Sequence, residues 1–257
     1  MTTTNLLCRL AAASAALMLA IASHTARADD IDIYSNPAID GLVPNVLFII
    51  DNTANWGATI TTPVCNAAGA NVKNSSPDRE EGTKMGAEKC AIWKLINSMS
   101  VTDLGQYNMA FMLFNESPDS SGYPRLAFIR VQSGADKQLI LDMIAGLKIN
   151  TDKGNNASTA ETFYEAWLWF NSSSVRLGNK TATKNDPTAF SDASKTRYRG
   201  PGVGCAKNHI IYLANGAPGD NNNVTEALLK SINPSAVRIS IPTAEGVGNN
   251  DAANWAD

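Results

Sequence analysis

Histidine is almost missing from this chain: there are two in 257 residues, His24 and His209. A Ser-His-Asp triad needs an imidazole within reach of an activated serine. Here no Gly-x-Ser-x-Gly elbow accompanies His209, which reads as a structural residue at the start of a strand. Neither His-Glu-x-x-His nor Gly-x-x-x-x-Gly-Lys is present, so zinc-protease and phosphate-loop chemistry have no motif to stand on. Cysteine is sparse, with four residues and no Cys-x-x-Cys, and a zinc reading would lack a fourth ligand. Charged residues make up 18% of the chain, and its net charge is -3. The basic residues are scattered apart from Lys195, Arg197 and Arg199, which excludes the basic face that nucleic acid requires. After the amino-terminal segment no apolar run approaches the roughly 20 residues of a membrane span.

What is present begins with an export signal. Arg9 is the only charge before the apolar Leu10 to Ala22, and Ala26-Arg27-Ala28 is a small-x-small cleavage site, so residues 1–28 read as a signal peptide. Cys8 leaves with it. The remaining Cys65, Cys90 and Cys205 meet an oxidising compartment, where two of the three are expected to pair. Cys65 lies in a long loop and Cys90 on the helix after it, and a Cys65–Cys90 bond with Cys205 as the odd thiol is the pairing expected.

Residues 29–43, with Asp29, Asp30, Asp32 and Asp40, form an acidic lead-in. Val46 to Ile50 is an unbroken apolar run, as in a strand covered on both faces within a parallel sheet. It stops at Asp51, and Asn52, Thr53 and Asn55 follow. Oxygen-bearing side chains are thereby placed where open α/β sheets hold ligands. Residues 52–83 are a long polar insertion, either a binding rim or a cover that touches no ligand.

Helical spacing of Ile92, Leu95, Ile96 and Met99 predicts a helix over 84–99. Strands are predicted at 107–114 and 126–131, with a turn over 118–124, and a second helix at 135–147. A third helix, 158–170, carries Phe163, Ala166, Trp167 and Phe170 toward the core. Residues 171–204 read as a mobile polar excursion, followed by a buried strand at 208–213, a turn at Asn215-Gly216-Ala217-Pro218, a helix at 223–232 and a strand at 236–241. This order predicts an α/β fold: a doubly wound, mostly parallel central sheet with helices on both faces and one antiparallel edge hairpin.

The strand ending in Asp51-Asn52-Thr53-Ala54-Asn55-Trp56 resembles the first strand and metal loop of a von Willebrand factor A domain. Together with Ala160 to Ala166, Cys205 to Tyr212 and Asn215 to Pro218, it is similar to the amino-terminal region of the PilY family of type IV pilus tip and assembly proteins. The resemblance implies a von Willebrand factor A-like domain over 44–257, truncated at its carboxyl end. In the family the chain continues into a carboxyl-terminal β-propeller.

The resemblance also implies a degenerate metal site of Asp51, Thr53, Asn55 and Asn215. Asn55 replaces a hydroxyl, Ala157 stands at the position of a threonine, with Ser158 or Thr159 reaching it only after a register shift, and Asn215 replaces an aspartate. One carboxylate compensates little of the cost of dehydrating an ion, so at most a weakly held magnesium or calcium is expected. The alternative is a fold inherited after its metal was lost.

The implied function is a non-enzymatic, exported binding and assembly module of a type IV pilus, reaching the pilus tip, cell surface or outer membrane through the periplasm. Its partners would be pilus subunits, minor pilins, or host or abiotic surfaces, with no nucleic acid. The alternatives are a structural scaffold without metal-dependent binding and, further off, an exported α/β hydrolase.

Overall fold

The computed structural model describes residues 43–235 except 62–64, 66, 76–78, 117–118, 120, 155–157, 182, 203–205 and 217–221. The chain divides into two units, Met1–Gly41 and Leu42–Asp257. The signal segment, most of the acidic lead-in, Ala157, Cys205, Ala217-Pro218 and the strand expected at 236–241 lie outside the described residues.

Among the described residues, four strands form one mixed sheet: β1 (Asn45–Ile50), β2 (Asn108–Phe114), β3 (Gly122–Arg130) and β4 (Asn208–Leu213), in the order β3-β2-β1-β4. β1 is parallel to β2 and to β4, while β2 and β3 are antiparallel. The helices are α1 (Lys84–Ser98), α2 (Val101–Leu104), α3 (Gly134–Gly146), α4 (Ile149–Asp152), α5 (Thr159–Phe170) and α6 (Asn222–Ile232). This is an α/β fold, and the arrangement is compatible with double winding.

The unbroken apolar run of β1 has the cause its sequence suggests, because alternate residues enter different cores. Phe48 and Ile50 pack with Met85, Ile92 and Ile96 of α1 and Ile140 and Ile144 of α3. Leu47 and Ile49 pack on the opposite side with Ala166, Leu168 and Trp169 of α5. The central strand therefore has helices on both faces. At its amino end, Asn45, Asn108 and Asn208 share one register. Asn108 Nδ2 donates to Asn45 Oδ1 at 2.9 Å, and Asn45 Nδ2 donates to Asn208 Oδ1 at 2.8 Å, which makes an amide ladder across three strands.

Several details differ from the sequence reading. β3 begins at Gly122 and takes in Pro124, inside the expected turn. A proline fits there because β3 is an edge strand paired irregularly with β2. Gly122 is needed where α5 approaches: a Cβ there would lie 2.6 Å from Thr162 Cγ2 and 2.7 Å from Met112 Sδ. On α1, Leu95 faces solvent while Ile92 and Ile96 carry the contact. On α5 the inward side chains are Ala166, Leu168 and Trp169, and Trp167 is 39% exposed, so the inward face is set by Trp169 rather than by Trp167. β4 is not a buried strand, because it is the sheet's outer strand among the described residues, with Ile210 and Ile211 41% and 43% exposed.

The described residues of 171–204 do not stand off the fold. Ala189, Phe190 and Tyr198 are buried against Trp169, with the Phe190 and Tyr198 rings stacked 5.5 Å apart. The side chain of Glu165 on α5 holds this segment down. It accepts from the backbone N–H groups of Arg176 and Leu177, both at 3.1 Å, from the Tyr198 hydroxyl at 2.6 Å and from the Ser121 hydroxyl at 3.0 Å. The other long segment, 52–83, is tied to α1 by Cys65–Cys90, whose Cα atoms are 5.7 Å apart, and by the buried ion pair of Glu80 with Lys89 at 3.0 Å.

Candidate functional site

β1 ends in the parallel ladder, where the Asp51 N–H donates to Leu213 O at 2.9 Å. The chain then turns sharply through a single 3-10 turn, Ala54–Gly57. This places Asp51 and Thr53 beneath the turn, with Asn215 opposite them beyond β4, and all three are buried.

The Asp51 carboxylate is fully engaged by the protein. Oδ1 accepts from the Thr53 N–H at 3.1 Å and the Thr53 hydroxyl at 2.5 Å. Oδ2 accepts from the Tyr212 hydroxyl and the Asn215 N–H, both at 3.2 Å. A carboxylate has about four lone-pair positions, and four donors face this one. Asn215 Nδ2 also donates to the Asp51 carbonyl at 2.8 Å, locking the two loops together. Thr53 Oγ1 is 3.4 Å from Asn215 Oδ1, but its one proton is directed to the nearer Asp51 oxygen.

Asn55 departs from the expected set. The 3-10 turn carries it outward to an exposed rim position, and its amide nitrogen lies 3.7 Å from where a Cβ on Gly216 would be. Asp51, Thr53 and Asn215 are thus brought together, and Asn55 is not. Thr159 meets the cluster at Tyr212, its hydroxyl 3.3 Å from the phenol, and Ser158 caps α5 by accepting from the Glu161 N–H. Asn52, wholly buried, bridges strand ends: its Oδ1 accepts from the Phe114 N–H at 2.7 Å and its Nδ2 donates to Phe114 O at 3.1 Å.

Three further residues shape the site without having been expected. Tyr212 sits opposite Ile49 in the β1–β4 register and supplies a hydroxyl to Asp51. Lys84, the first residue of α1, donates its ammonium to the Asn215 carbonyl. Glu88, one turn further along α1, is half-buried and accepts from Trp56 Nε1 at 2.9 Å. Burial pushes the Glu88 carboxyl up to about 8; the Trp56 hydrogen bond and Lys84 oppose this, while the nearby Asp51 carboxylate adds to it. The available signal was the Lys84-x-x-x-Glu88 spacing, which puts both groups on one face of the helix next to the loop.

This arrangement fits a divalent cation poorly. Magnesium needs near-octahedral oxygen ligands, and Asp51 could join them only by giving up Thr53 or Tyr212. The second carboxyl, Glu88, accepts from Trp56 Nε1 and is pushed toward its neutral form by burial, and an ammonium already lies on Asn215. Among the described residues, no group of three or more His, Cys, Asp or Glu could hold a metal ion. No helix among them is long and apolar enough to cross a membrane. Compared with known proteins, the chain matches no family model, no curated protein and no solved structure.

Proposed function

We propose that this chain is an exported, non-enzymatic binding and assembly module of a type IV pilus, PilY-like, built on a von Willebrand factor A-like domain. Its contacts are pilus subunits, minor pilins or surface ligands, at the pilus tip or outer membrane. The observation that carries this reading is the convergence of Asp51, Thr53 and Asn215 at the carboxyl ends of the parallel strands, where open α/β sheets bind ligands. The loop works without a tightly held metal, since its carboxylate is occupied by protein donors. Deleting the domain from the chromosomal gene should leave pili assembled while surface attachment falls. Turnover of ester or phosphate substrates by the purified chain would overturn the reading.

The four donors on Asp51 favour a second reading, a scaffold that has lost metal-dependent binding and serves only assembly. In that case the same deletion removes pili. Calorimetry addresses the metal separately: magnesium binding should be weak in the unmodified chain. Asn55→Ser, Ala157→Thr and Asn215→Asp together should raise divalent-ion affinity at least tenfold, about 1.4 kcal/mol. Tight magnesium binding abolished by Asp51→Ala would show that the loop is a working metal site.

A further inference from the structure

Away from the Asp51 loop, a cleft of about 680 Å³ opens between β3, α3, α4 and residues 183–187. It gathers buried side-chain atoms that have no hydrogen-bond partner. Asn185 is 6% exposed; its Oδ1 accepts from Lys195 Nζ at 2.6 Å, but its Nδ2 has no acceptor. Arg125 Nε likewise has none: the nearest carboxylate oxygen, Asp152 Oδ1, is 3.7 Å away, in ion-pair range but too far for a hydrogen bond. Asp152 is held in place through its other oxygen, which accepts from the Lys148 N–H at 2.8 Å and the Thr151 hydroxyl at 3.1 Å. Of the four buried side-chain atoms without a partner among the described residues, two line this cleft, and a third, the Tyr123 hydroxyl, belongs to the same strand as Arg125.

Buried polar atoms are nearly always hydrogen-bonded, and two orphan donors in the lining of one cleft call for an acceptor from outside the chain. The charge of the lining selects its kind. Arg125, Lys148 and Lys184 are balanced by Asp142, Asp152 and Asp186, so an anion entering the cleft would meet as much repulsion as attraction. A hydroxyl group meets both requirements at Arg125, where it can accept from Nε and donate across the 3.7 Å gap to Asp152 Oδ1. A second oxygen can accept from Asn185 Nδ2. Leu126, Met143 and Leu139, the last 49% exposed, offer an aliphatic wall for a ligand's carbon face. The geometry points to a second binding site, lined by none of Asp51, Thr53 and Asn215, that takes a neutral polyhydroxylated ligand, namely a saccharide.

The test is a titration of the full ¹⁵N-labelled chain with methyl α-D-glucopyranoside, methyl α-D-galactopyranoside, N-acetylglucosamine and maltotriose, followed by backbone amide shifts. Sodium acetate and sodium phosphate at matched ionic strength serve as anionic comparators. At least one sugar should give saturable shifts at Arg125, Asp152 and Asn185, with a Kd of about millimolar strength, as a few hydrogen bonds and a small apolar contact allow. Asn185→Leu and Arg125→Lys should each weaken that binding at least tenfold, and Asn55→Ser, on the exposed rim beside the Asp51 loop, should leave it unchanged. Arg125→Lys keeps the charge facing Asp152 and therefore carries the test if Asn185→Leu does not fold. The proposal is overturned by the absence of saturable shifts with every sugar, by shifts that survive Arg125→Lys, or by stronger shifts with acetate or phosphate.

Discussion

Glu80 and Glu165 each fasten a long polar segment to the fold, each with no exposure to solvent, and they compensate their charge in opposite ways. Glu80 in the first segment relies on an ion pair. Its Oε2 accepts from Lys89 Nζ and the Lys73 N–H, while Oε1 has no partner. The Lys89 ammonium completes its three bonds on Asn71 O and Leu147 O; burial pulls its pKa down and Glu80 partly restores it. Glu165 uses no cation. Two backbone N–H groups and two hydroxyls cover both oxygens, and the Tyr198 phenol is pushed well above its ordinary range by burial and by the carboxylate it serves. Neutral donors fixed by the fold thus satisfy a buried carboxylate completely, whereas the ion pair supplies charge and leaves one oxygen bare.

Breaking the ion pair from one side should show this difference most strongly. Lys89→Met leaves Glu80 buried without its cation and is expected to cost about 3–5 kcal/mol in denaturant unfolding. Lys89→Met with Glu80→Leu should cost clearly less than the single change, and an equal or larger loss would mean that the pair is net stabilising. The disulfide comes next. Replacing Cys65 and Cys90 by serine opens a ring with a sequence separation of 25 and should cost about 3–4 kcal/mol. Smaller again is Glu165→Gln, which turns one acceptor into a donor facing two donors, at about 2–3 kcal/mol. Hydrogen exchange should locate the loosening at 172–200, and protection unchanged there would detach Glu165 from its assigned role.

A carboxyl that is not fully satisfied sharpens the comparison through its pH dependence. Glu88 has a raised folded value near 8 against an ordinary 4.5, so the folded state holds its proton over that interval. Its contribution is complete below about pH 4.5 and is lost as pH rises through about 8. Unfolding free energy should therefore fall by about 2–4 kcal/mol across that window, with the partial exposure of the group reducing the effect. Glu88→Gln should flatten the slope; an unchanged slope would place the titration elsewhere.

The sequence made the framework legible where local pattern and burial coincide. Val46 to Ile50 announces a strand covered on both sides, and Asp51 and Thr53 mark its carboxyl end. Leu95 and Trp167 misled because they share helical spacing with core residues, and only the neighbouring elements decide which side is covered. The packing of 171–204 was hidden because its tether, Glu165, belongs to another element, and its few apolar residues, Phe190 and Tyr198 among them, are dispersed in a polar run. Asn55 could not be placed from its spacing, since one 3-10 turn suffices to face it outward. Tyr212 owes its role to a distance across the fold, of which composition and periodicity carry no trace, and Glu88, although its spacing from Lys84 was legible, meets Trp56 only through the fold.

The asparagine ladder has a consequence for how the sheet is assembled. A slip of β2 or β4 by two residues along β1 would keep every inward side chain facing inward, so apolar burial scarcely distinguishes the slipped pairing from the native one. The amides do distinguish it. After such a slip Asn108 or Asn208 would lie beside Leu47 in place of Asn45, and the buried Asn45 amide, left short of a partner, would cost about 1–3 kcal/mol. Asn45, Asn108 and Asn208 therefore act as an alignment mark, separating one pairing from others that are nearly degenerate in hydrophobic energy and directing the growing sheet out of misaligned traps.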